Sequence, residues 1–177
     1  MSGTHDRKDF AINARLVVLV ALSAGLALTS VAAAGPGAAK QRVTITVTIL
    51  PSGKGVLSPL NDGALKRDSG TFDGNWKSKV SSGRDVMRDG QQVTIYPPVV
   101  WTFTGTRGNL VFKDRYEWIN LGHDLNRDGD EDGIATGTWK VVRGTGAYAG
   151  ISGGGRSSHL GQGSRWVASY EGFLTVP

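Results

Sequence analysis

From residue 43 onward the chain alternates between apolar and polar positions. In 43–50, Val43, Ile45, Val47 and Ile49 are interleaved with Thr44, Thr46 and Thr48, a period of two that turns one row toward a core and the other toward water. The pattern returns in 72–80, where Phe72, Gly74, Trp76, Ser78 and Val80 form the inward row and Asp73, Asn75, Lys77 and Lys79 the outward one. Further strands are predicted over 93–104, 109–120, 135–143, 149–159 and 165–175, which makes seven. The stretches 51–68 and 81–92 are rich in Gly, Pro, Asn, Asp or polar residues and read as loops. The turn at 105–108 joins two strands as a hairpin. Pro97-Pro98 implies an edge, a bulge or a sharp bend, because proline cannot donate to a ladder.

No stretch after residue 35 carries a helical period. With 26 glycines and turn signals at regular intervals, the economical fold is all-β, an antiparallel sheet closed into a barrel, which also removes exposed edges.

The N-terminus differs in kind. Arg7, Lys8 and Arg15 precede an uncharged run over 16–34 that ends in small residues. That is the layout of a signal peptide for the general secretory route, cleaved near Ala34; its apolar core is short for a membrane span. The organisation expected is a signal peptide over 1–34, a flexible lead over 35–42 and one barrel domain over 43–177. The absence of cysteine excludes disulfides, thiolate metal sites and a cysteine nucleophile. The formal charge is +5, but the basic residues are dispersed, as a solvated surface has them and a nucleic-acid footprint does not.

The run 139–156 carries Gly144, Thr145, Gly146, Tyr148 and Gly150. This Gly-Thr-Gly-x-aromatic pattern resembles the strand-turn-strand of the allene oxide cyclase and dirigent barrel superfamily, closest to its small secreted bacterial members. The resemblance implies an eight-stranded barrel with an apolar interior. The catalytic residues of the plant members lie outside the motif, so no catalytic role is carried over.

Local chemistry is concentrated in 124–132. Asp124, Asn126, Asp128, Asp130 and Asp132 occupy alternate positions around Gly129, the order in which a short loop supplies oxygen ligands to calcium. Position 12 is Ala135 where a bidentate Glu would stand, so the loop predicts weak Ca2+ binding, with a metal-free acidic hairpin tip as the other reading. His123 and His159 read as turn histidines, too far apart in sequence for a zinc pair. The G-x-S-x-G of 150–154 and the glycines of 144–146 lack the helix that a nucleophile elbow or a dinucleotide fingerprint requires.

Strand parity adds a second candidate. If Leu110, Phe112, Tyr116 and Trp118 face the core, Asp114 faces it too, and the same rule sends Arg143 and Tyr170 inward. Such a set is a buried structural pair or a polar site for a ligand or an acid-base step, unless a bulge turns Asp114 outward.

The leading reading is therefore a secreted β-barrel domain with no enzymatic role declared by its residues, tuned by a calcium loop. One rival is an isomerase or cyclase holding an apolar substrate among Trp101, Phe112, Trp118 and Trp139, with Asp114, Arg143 and Tyr170 as polar groups. Another is a carrier of a small apolar ligand. An interior cavity favours both rivals over the first reading, and a filled interior dismisses both.

Overall fold

The computed structural model describes residues 38–50, 53–76, 79, 82–124, 127, 129, 132–162 and 165–177; the segment read as a signal peptide lies outside them. The described residues fall within one compact unit, Ala33–Pro177. Ten strands are present: β1 (Ala39–Leu50), β2 (Lys54–Pro59), β3 (Asp68–Gly74), β4 (Arg84–Arg88), β5 (Gln91–Ile95), β6 (Val99–Gly105), β7 (Gly108–Asn120), β8 (Gly133–Gly144), β9 (Ser152–Gln162) and β10 (Arg165–Val176). All their pairings are antiparallel.

Eight strands, in the order β7-β6-β3-β2-β1-β10-β9-β8, return to β7 through the β7–β8 ladder and close a barrel. The eighth strand is β2, inside a stretch read as loop. Its only alternation is Gly55 and Leu57 inward against Val56 and Ser58, too short to register as a period, and it is held by ladders to β1 and β3. The polar stretch 81–92 likewise contains a strand, β4, which among the described residues pairs with β5 alone, at the rim. β1 starts at Ala39, inside the stretch read as a flexible lead.

The proline pair acts as a break. β5 and β6 lie on the same side of β7, at Glu117–Ile119 and at Gly108–Asp114 respectively. Without amide hydrogens at Pro97 and Pro98, a continuous ladder fails between them.

Inward rows from all eight strands build the core. Phe72 stacks on Trp101 with ring centroids 5.0 Å apart, and Phe112 meets Tyr170 at 4.9 Å and Trp139 at 5.3 Å. Each such buried ring contributes about 2–3 kcal/mol of hydrophobic stabilisation. An eight-stranded barrel is just wide enough for side chains to fill, and these aromatic layers fill this one.

The two mouths are built differently. The lower mouth carries the start of β1, the β6–β7 turn and the ends of β8 and β10; the upper carries the ends of β1, β3, β7 and β9. At the lower mouth Leu65 is buried, and its loop is pinned by Gln41. The Gln41 amide donates to Asn61 O at 2.9 Å and Leu65 O at 3.3 Å, while Leu65 N–H donates to Gln41 Oε1 at 2.8 Å.

Candidate functional site

The Gly-Thr-Gly-x-Tyr motif has a structural task at the lower mouth. Gly146 adopts φ 59°, and a Cβ there would meet Arg107 O at 2.4 Å, so the short 3-10 turn Gly146–Tyr148 packs against the β6–β7 turn only with glycine. The turn aims the Tyr148 hydroxyl at Asp68, 2.8 Å away. The Asp68 carboxylate also accepts from Ser69 N–H, from Thr106 through both N–H and hydroxyl, and from Arg107 N–H, at 2.6–3.1 Å. Burial alone would raise its pKa, yet the bonds from Thr106, Tyr148 and Arg107 outweigh that and hold it below the ordinary carboxylate value. A Cβ at Gly105 would lie 2.1 Å from Asp68 Oδ2. This cluster is a latch, with its acceptors occupied.

The upper half holds the chemistry. Asp114 is fully buried on β7, inward as parity requires. Its Oδ1 accepts from Ser157 Oγ at 2.7 Å, and its Oδ2 lies 2.9 Å from His159 Nε2. The 2.9 Å contact has His159 Nε2–H donating to the Asp114 carboxylate. Tyr116 packs on the imidazole at 4.7 Å and Tyr170 meets it edge-on at 5.6 Å. Burial first, then the Asp114 charge, pushes both tyrosines well above the ordinary phenol value, so both stay neutral. Although Tyr170 feels Asp114, its buried hydroxyl has no hydrogen bond of ordinary geometry, and neither has the indole N–H of Trp101.

Above this floor lies a cleft lined by Ile49, Trp76, Trp101, Tyr116, His159 and Trp166. Its volume is about 10 Å³, room for about one water. Trp166 stacks between Trp118 at 4.8 Å and Trp76 at 6.4 Å. A larger depression of about 420 Å³ runs along the 59–67 loop at the lower mouth, without a buried charge in its lining.

Several expected residues sit elsewhere. Arg143 is exposed and far in role from Asp114: the β7–β8 register shifts between Val111 and Phe112, leaving Val142 as an extra residue, so Arg143 pairs with outward-facing Val111. His159 is no turn histidine; it lies within β9, paired with Ala135 and Ala168, and is only 4 % exposed. Ser157 and His159 share an inward row against Ser158 and Leu160. That alternation was the available signal, hidden because the strand continues to Gln162, beyond its expected end. Of the aromatic set, Trp101 lines the cleft, Trp118 stands at the rim, and Phe112 and Trp139 interlock deeper. The G-x-S-x-G stretch lies at a turn and the start of β9 with no helix.

Of the acidic loop, Asn126, Asp128 and Asp130 lie outside the described residues. Gly129 takes φ 98°, and its N–H donates to Asp124 Oδ2 at 2.8 Å. Asp132 is buried, and its backbone closes the loop on His123 and Leu121. Ala135 faces the interior from β8. Among the described residues no cluster of three or more metal-ligating side chains occurs.

Compared with known proteins, the chain matches no family model, no curated protein and no solved structure.

Proposed function

We propose that the chain is an exported barrel of the allene oxide cyclase and dirigent kind that works as a binding module, seating a small group of a mostly apolar ligand in the upper cleft. The observation that carries this reading is the convergence of aromatic walls on a buried polar floor. His159, held by Asp114, which Ser157 fixes in turn, and the unpartnered Trp101 N–H set polar groups beneath apolar walls, the ordinary make-up of a ligand site. A barrel needing only stability gains nothing from buried donors without acceptors, each of which costs about 1–3 kcal/mol. The filled interior favours a seat at the mouth over the barrel axis. The acidic loop 124–132, at the same end, is read as a weak calcium site steadying the rim.

The tryptophans supply the test. Titration of the 15N-labelled protein with 3,3-dimethyl-1-butanol, a small branched neutral probe, should move the indole N–H signal of Trp101 saturably. The Trp139 signal should stay still, because that N–H is already bonded to Glu171 O. No saturable shift at Trp101, or equal shifts at both, overturns the reading.

A further inference from the structure

Basic residues that lie apart in the sequence are gathered by the ladders on the outer wall of β7, β8 and β9, away from the upper cleft. Lys113 stands directly across from Lys140, Arg115 and Arg156 flank Thr138 from either side, and Arg143 lies across from Val111, the next outward position of β7. All five are exposed. The formal charge of the chain is +5, so these five account for it and the remaining charges sum to zero. Side chains directly opposite one another lie about 4.5–5.5 Å apart at Cβ, and like charges there cost stability. Solubility alone is served better by interspersed signs. Yet Glu117 on this wall is held by Arg88 at 2.6 Å, and among the described residues no ion pair joins any of the five to an acid.

We propose that this wall docks an acidic polysaccharide, a carboxylate-bearing glycan chain. The guanidinium forks of Arg115, Arg143 and Arg156 suit carboxylates, which they pair two bonds at a time. Exposed hydroxyls beside them, on Thr136, Thr138 and Ser158, meet the sugar hydroxyls. A flexible chain also follows a convex wall. Other polyanions fit less well. Single-stranded nucleic acid needs open aromatic faces to stack on, and Phe173, the exposed ring next in the Lys113–Lys140 row, is capped by Lys40 Nζ 4.5 Å from its centre. A lipid surface is held through bulky apolar side chains beside the basic ones, and between these five only Val142 is apolar and exposed.

The experiment titrates the protein calorimetrically with polygalacturonate and with neutral dextran. Polygalacturonate should bind and dextran should not, and the affinity should fall by about tenfold or more between 50 and 200 mM salt as counterions are released. Lys113→Gln combined with Lys140→Gln should weaken binding about tenfold, whereas Lys54→Gln combined with Lys66→Gln, an equal loss of charge elsewhere, should change it less than about twofold. The first pair should keep or raise the urea midpoint, because it removes a like-charge contact; Arg156→Gln, on another strand, should weaken binding as well. No binding of polygalacturonate, or equal losses in the two double variants, overturns the proposal. Tighter binding of phosphatidylglycerol vesicles or of single-stranded DNA, lost with Lys113 and Lys140, keeps the basic wall and overturns the polysaccharide.

Discussion

At the lower mouth the Asp68 carboxylate receives five hydrogen bonds and the Gln41 amide takes part in three; in the upper half the buried Trp101 indole has none, and the buried Tyr170 hydroxyl has none of ordinary geometry, only a weaker contact with Asp114. Both regions belong to one barrel and bury a carboxylate. The difference is what surrounds it. Asp68 is surrounded by donors fixed by backbone turns, so it ties β3, the β6–β7 turn and the 3-10 turn into one piece. Asp114 is met by side chains alone, Ser157, His159 and more weakly Tyr170, under a cleft that opens outward. Satisfied polar groups rigidify, and unsatisfied ones mark places where a partner is expected. The lower mouth is closed by its own bonds, and the upper is the one to which the proposed function assigns a ligand.

The largest effect separating the two should come from Asp68→Ala. It strands the Tyr148 hydroxyl and the Arg107 and Thr106 donors, at a cost of about 3 kcal/mol in urea unfolding. Because the folded pKa of Asp68 is depressed, its ionised form stabilises fully above the unfolded value of about 3.9, and that contribution is lost as pH falls through the lower folded value. The stability gap between the parent and Asp68→Asn should therefore narrow between pH 6 and pH 3. A gap that holds constant would take the latch out of the carboxylate's charge.

Calcium should act more gently, and at the upper end. At ten times Kd a ligand of the native state alone adds about 1.4 kcal/mol, so millimolar calcium should raise the melting temperature of the parent by several degrees over chelator. Asp128→Ala should lose that rise. An equal rise in the variant, or none in the parent, reduces 124–132 to a solvated acidic turn.

Much of this was legible in the alternation. Val43 to Ile49 and Leu110 to Trp118 declared strands, and the parity of β7 placed Asp114 inward. Parity failed where registers slip: one extra residue at Val142 turned Arg143 outward, a local bulge that no periodicity announces. It also failed where strands are short or polar. β2 and β4 exist because neighbours pair with them, an interaction encoded in the partner ladders and absent from their own composition. His159 was hidden by the polar and glycine-rich character of β9, whose inward row of Ser157, His159 and Gly161 lacks the apolar residues by which inward rows are recognised. The Tyr148–Asp68 bond joins residues 80 positions apart, and only the closed barrel brings them together.

The contrast between a satisfied and an open mouth is tested most directly by deleting one hydroxyl at each. Tyr148→Phe and Tyr170→Phe remove the same atom from two buried rings, and urea unfolding of both reads its worth. Tyr148→Phe should cost about 1.5 kcal/mol, the ordinary value of a hydrogen bond to a charged acceptor, while Tyr170→Phe should stay within about 0.5 kcal/mol of the parent or be stabilising. If Tyr170→Phe costs as much as Tyr148→Phe, the upper hydroxyl is already satisfied and the open mouth is a misreading.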